Sequence, residues 1–170
     1  MDTGILILRL LVGVLIAAHG VQKVSRHLGG KGLDGGAEEF RADGFRGGVL
    51  TALAAGGGQI GSGLLLAAGF LTPLAATGVI GVMTVALTVK RHNGLWVQND
   101  GYEYPLFLIG AAAALAATGP GAWSLDAAFD LTPYPLWWTA VVLAAGLGSG
   151  LLTRLVLHRA PAAASPAAPR

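Results

Sequence analysis

The chain has 170 residues, of which 54% are apolar and only 12% charged, and its formal net charge is +2 at neutral pH. An ordinary soluble domain carries about 25% charged residues, so this chain cannot cover a water-facing surface, and its apolar fraction excludes a disordered or collagen-like chain. The absence of cysteine excludes disulfides, iron–sulfur clusters, thiolate metal sites and cysteine nucleophiles. What remains is an all-α polytopic membrane helix bundle.

A bilayer core of about 30 Å asks for about 20 apolar residues per helix. The first such stretch is 4–21, interrupted by Arg9 and His19. Asp2 stands where a signal peptide would be basic, and Arg9 breaks the apolar run, so a retained helix is expected and not a cleaved leader. Residues 24–48 form a glycine-rich connection of mixed charge, with a short interfacial helix expected over 37–45 and ended by Gly44. The second span, 49–71, holds no charge at all. Thr72-Pro73 breaks the chain before the third, 73–89, because proline lacks the N–H that would continue a helix. The fourth, 104–119, opens at Tyr104-Pro105, and a fifth helix lies within 131–158. Residues 159–170, rich in Ala and Pro, read as a disordered cytoplasmic tail.

If all five stretches cross, ten of the eleven basic residues fall on one side, and the other side holds Asp2, Asp126 and Asp130. The excess of Lys and Arg in cytoplasmic loops then places the N-terminus outside and the C-terminus in the cytoplasm. That distribution marks orientation and gives no reason to expect nucleic acid. Trp96 and Tyr102 near one boundary, and Trp123, Tyr134, Trp137 and Trp138 near the other, match an aromatic belt.

Between helices in lipid, small residues that permit close approach matter most. Span two carries a Gly-x-x-x-Gly pair at Gly57/Gly61 and span five another at Gly146/Gly150. In span one, Arg9, Gly13, Ile16, Gly20 and Lys23 share a face at the helical period. Gly56, Gly58 and Gly61 also spell G-x-G-x-x-G, but inside an uncharged span this reads as packing, since a dinucleotide motif needs a preceding strand and water at the pyrophosphate.

A few polar residues stand inside or beside the spans. Arg9, about five residues in, either snorkels outward to water or pairs with Asp126, Asp130 or a ligand. Gln59 lies about ten residues, or 15 Å, from the start of its span, where an amide needs a partner: another helix, or a substrate or quinone. At the basic boundary stand His19 and Lys23 of span one, then Lys90, Arg91 and His92, then Asp100, Glu103 and Tyr104. His19 and Glu103 are the candidate catalytic pair if they meet, with hydrogen bonding of His19 to its neighbours and cap-side placement of Glu103 as the plainer alternatives. The candidate cofactor-binding set is His19, Lys23, Gln59, Glu103 and Tyr104. Haem on His19 and His92 is disfavoured because only His19 lies inside a span, and no metal site is expected.

With these residues named, the chain resembles the DoxX family of small bacterial membrane proteins. "LILRLLVGVLIAAHGVQKV" (6–24) is similar to the family's first helix with its Arg-Leu and His-Gly-x-x-Lys elements. "GSGLLLAAGFLTPLAA" (61–76) is similar to its second-to-third helix hairpin, and "GYEYPLFLIGAAAALAATGPGAWSLD" (101–126) to its Glu-Tyr-Pro opening, fourth helix and Gly-Pro-Gly exit. The resemblance spans about 4–130 and implies a four-helix core at 1–130, to which 131–158 adds a fifth transmembrane helix. It also marks a departure, since Gln59 stands where family members commonly carry Glu. The family takes its name from association with thiosulfate:quinone oxidoreductase, and some members are linked to membrane oxidoreductase complexes. The implied function is an accessory or quinone-interacting subunit of such a complex in the bacterial plasma membrane. Quinone is the implied cofactor; lipid, membrane-complex proteins and further copies of the chain are the expected partners. Electrons would come from a partner, so independent enzyme activity is not expected. A non-enzymatic scaffold recruiting soluble proteins through the 24–48 loop and the tail is the alternative. A small transporter is disfavoured by the lack of an inverted repeat.

Overall fold

The computed structural model of the protein describes residues 1–158; the expected tail at 159–170 lies outside the described residues. In chain order the helices are α1 (Asp2–Val24), α2 (Gly32–Ala42), α3 (Val49–Ala68), α4 (Thr72–Lys90), α5 (Glu103–Thr118), α6 (Leu125–Ala128) and α7 (Trp137–Leu157). Helices α1, α3, α4 and α7 are long and apolar enough to cross a bilayer, while α5, with 16 residues, spans about 24 Å. Together they form a helical membrane bundle. One end of it gathers Lys23, Lys90 and the α7 terminus at Leu157; the opposite end gathers Asp2, the α3–α4 turn and Asp126.

Helices α1 and α3 run antiparallel in backbone-to-backbone contact. A Cβ on Gly13 would stand 2.5 Å from the carbonyl oxygen of Gly63, one on Gly63 would stand 2.5 Å from that of Gly13, and one on Gly20 would stand 2.5 Å from that of Gly56. The shared face read on span one is therefore the buried seam. Within the chain the Gly57/Gly61 pair is not the seam: neither glycine has a neighbour within 4 Å of an added Cβ. The glycines that pack are Gly56 and Gly63, seven residues or nearly two turns apart, which return to the same face. Spacing of four alone could not show which way the helix is rotated.

Helix α4 is the centre of the bundle, with Ala75, Ala76, Val79 and Ile80 fully buried against α3, α5 and α7. Helix α7 runs parallel to it. Gly146 sits over Ile80, and Gly150 over Thr84 and the carbonyl of Gly81, as the second Gly-x-x-x-Gly pair leads one to expect. The expected interfacial helix at 37–45 is α2, displaced toward the N-terminus; Gly44, at φ +83°, lies just beyond its end. After α2, Phe45 is 4% exposed and pairs in a single antiparallel bridge with His158. The Arg46 N–H donates to Leu157 O at 2.9 Å. This connection is thereby fastened to the end of α7.

Candidate functional site

Among the described residues two polar constellations stand out, one at each end. At the Asp126 end, α3 closes in a Schellman turn, with Gly69 N–H donating to Leu66 O at 3.1 Å and Phe70 N–H to Leu65 O at 2.9 Å. Gly69 is left-handed (φ +62°), and a Cβ there would lie 1.8 Å from Arg9 Nη1, so only glycine admits the guanidinium. Arg9 donates from Nη1 to Pro120 O at 2.9 Å and from Nη2 to Trp123 O at 2.6 Å. It is 1% exposed. The snorkelling expectation is thereby corrected, because the 119–124 turn folds over Arg9 and offers backbone carbonyls in place of water. Asp126 is fully buried and accepts from Leu71 N–H at 2.7 Å and Thr72 N–H at 2.9 Å. It caps α4, whose first N–H groups have no helical partner. The hydrogen bonds of both charges go to backbone groups, and Arg9 Nε alone is buried without a partner among these atoms.

The other constellation borders a cavity of about 430 Å³. Its back is α4, from Leu74 to Lys90; one side is α3, through Thr51, Ala55 and Gln59, and the other is α7, through Ser149, Thr153 and Leu157. Helices α3 and α7 do not pack on one another, so the cavity is the slot left between them. From Leu74 to Lys90 it follows about 24 Å of helix. At the basic end Lys23, Phe40, Asp43 and Phe45 close over it.

Gln59 lies midway along the slot, 2% exposed, with its amide oxygen buried and unpartnered. A buried unpaired amide group costs about 1–3 kcal/mol, and rotation of the carboxamide can turn either its donor or its acceptor to the cavity. The Lys23 stem packs at Gly56, where a Cβ would meet Lys23 Cβ at 3.4 Å, less than one turn from Gln59. The Lys23 ammonium lies 5.0 Å from the centre of the Phe40 ring and makes no ion pair among the described residues. Asp43 stands at the mouth and is exposed. Burial by its surroundings pushes its carboxyl above the ordinary value, against the pull of Lys23 and Lys90. Lys90 itself is paired with Asp100.

Of the residues singled out in the sequence, Lys23 and Gln59 are brought together at the slot. His19, Glu103 and Tyr104 are not among its walls. The His19 ring turns toward α5 and stacks on Tyr104 with centroids 5.4 Å apart, and His19 Nδ1 lies 3.1 Å from Leu15 O. Glu103 accepts from Val97 N–H at 3.0 Å, and its own N–H donates to Leu95 O at 2.8 Å, which closes the loop before α5. No hydrogen bond joins His19 to Glu103. The Tyr104 hydroxyl is buried without a partner. Among the described residues no cluster suited to a metal ion occurs. Sequence reasoning missed Asp43, Phe45 and the α7 wall. Nothing local marks them, because they reach the slot only when the 43–48 connection folds back onto α7.

A family model described as DoxX matches residues 4–92. No curated protein and no solved structure matches the chain. The matched segment contains α1 to α4, hence Lys23, Gln59 and the back of the slot, and stops before α7.

Proposed function

The chain belongs to the DoxX family, and from that premise we propose that it is a quinone-binding accessory subunit of a bacterial plasma-membrane oxidoreductase complex, with the slot as its quinone site. The basic end faces the cytoplasm in this reading, as the distribution of Lys and Arg requires. The observation that carries the proposal is the unpartnered Gln59 amide oxygen inside an apolar slot whose lining also includes the unpaired Lys23. Small-molecule sites are apolar cavities of about 300–1,000 Å³ with a few placed polar groups, and this one has that character.

A bound quinone supplies two-electron, two-proton chemistry. The chain's own residues hold and orient it. The Gln59 amide and the Lys23 ammonium would hold it as hydrogen-bond donors, and the alanine and valine walls would exclude water. Asp43, raised by burial and set at the mouth beside Lys23, holds or releases a proton between the slot and the water beyond. With no cysteine to ligate an iron–sulfur cluster, the electrons come from a flavin or metal centre on a partner subunit.

Organic extraction of protein purified in mild detergent tests this reading. About one quinone per chain is expected from the wild type. Gln59→Leu and Lys23→Ala should each weaken quinone binding roughly tenfold, the effect of losing one hydrogen bond of about 1.4 kcal/mol. Protein that carries no quinone and does not take up added quinone overturns the proposal.

A further inference from the structure

We infer that the connection 43–48 is a gate: a strap laid across the basic end of the slot, with Phe45 as its plug and the end of α7 as its latch. The inference concerns access to the slot and holds whichever ligand the slot takes. Arg46 shows how the strap spans the opening. Its N–H donates to Leu157 O of α7 at 2.9 Å, and its carbonyl accepts from the Thr51 hydroxyl of α3. Thr51 and Leu157 belong to opposite walls of the slot, so the backbone of one residue is tied to both. Beside it Phe45 lines the slot and is 4% exposed, although connecting segments normally run over the surface. Its ring meets Phe40 of α2 edge-on with centroids 5.9 Å apart, and His158 at 5.4 Å. Phe40 in turn carries the Lys23 ammonium, so α1, α2 and the end of α7 converge on the plug.

The fastening to α7 is narrow. That helix packs chiefly on α4 and α5; its links to the strap are the Arg46 N–H, the single bridge between Phe45 and His158, and the contact of their two rings. Segments that open locally are those held by few buried contacts. Pivots are present on both sides of Phe45 and Arg46. Gly44 (φ +83°) precedes them, and Gly47 (φ +92°) and Gly48 (φ +52°) follow, in left-handed backbone that glycine adopts without steric cost. The two residues between can therefore swing while α2 and α3 keep their places. Thr51 keeps the strap on the α3 side, so release occurs at α7. The open side of the slot between α3 and α7 faces hydrocarbon in a membrane bundle, which turns back charged solutes. Water-soluble species therefore reach the slot past Phe45, at the end where Lys23 stands.

The chain has no cysteine, so a single introduced one reports access without background. Ala55, about one turn further along α3 than Thr51, lines the slot, and Ala42, exposed at the end of α2, sets the unhindered rate. The probe is a charged methanethiosulfonate added to the full chain in nanodiscs. Ala55→Cys should be modified to completion but at least about a hundredfold more slowly than Ala42→Cys, at a rate set by opening of the strap. His158 is not among the walls of the slot, so His158→Ala loosens the latch without enlarging the cavity. Modification of Ala55→Cys should then speed up about fivefold, the loss of one aromatic pair. Phe45→Ala removes the plug and should bring the rate close to that of Ala42→Cys. Phe45 and His158 stand opposite one another in an antiparallel bridge, a spacing within reach of a disulfide, so Phe45→Cys with His158→Cys should cross-link on mild oxidation. If Ala55→Cys reacts as fast as Ala42→Cys with the strap unaltered, the strap does not close the slot. If folded Ala55→Cys never reacts, although the denatured protein does, the strap does not open. An unchanged rate in His158→Ala, or a cysteine pair that does not cross-link, removes α7 as the latch. Each of these results overturns the gate.

Discussion

Arg9 and Lys23 lie on the same face of α1, yet the two ends of the bundle treat their charges in opposite ways. At the Arg9 end the guanidinium is folded under a turn and bound to two backbone carbonyls, and Asp126 is spent on capping α4. At the Lys23 end the ammonium rests on an aromatic ring beside a slot, and the nearest buried amide has an unpartnered oxygen. A buried charge whose partners are backbone groups is part of the architecture, because removing it strands those groups without water. A polar group left unpaired beside a cavity has been kept at a cost to stability, and such costs persist where something else binds. Unpartnered buried atoms occur at both ends, Arg9 Nε and Thr72 Oγ1 as well as Gln59 Oε1, so what sets the Lys23 end apart is the cavity beside its amide.

The largest test of that division is Asp126→Ala. Two N–H groups at the start of α4 would lose a charged acceptor in a buried place, and the variant should be destabilised by about 3 kcal/mol, read as a lowered Tm in detergent. An unchanged Tm would mean that this end is not architectural after all. At the other end the sign reverses. In quinone-depleted protein Gln59→Leu removes an unsatisfied amide oxygen and should leave the chain as stable or more stable by about 1 kcal/mol, while quinone binding falls. Destabilisation of the empty protein by that substitution would show the amide to be structural. The smallest effect is expected on the open face of α3. Gly61→Leu, with no neighbour within 4 Å of an added Cβ, should change stability by no more than about 0.5 kcal/mol. A large loss there would reveal a helix partner on that face and sharpen the search for the rest of the complex.

The helices were legible because a run of apolar residues long enough to cross a bilayer has few other stable forms. Thr72-Pro73 and Tyr104-Pro105 were legible as helix starts for the local reason that proline fits the first turn. Lys23 and Gln59 were visible as polar residues in or beside apolar spans. The partners of Arg9 were not, since Pro120 and Trp123 stand 111 and 114 residues away and act through carbonyls that every residue possesses. Nor was the choice between Gly57/Gly61 and Gly56/Gly63, which depends on how α3 is rotated against α1.

By itself, then, the sequence determined the class of the molecule, the order of its helices and the family to which it belongs, because these follow from apolar length, charge distribution and local motifs. Only the tertiary structure decided that Arg9 is sealed, that His19 turns to Tyr104, and that α3 and α7 stand apart over α4. A slot is the space between elements that do not touch, and no residue of either wall carries a mark of its absent neighbour.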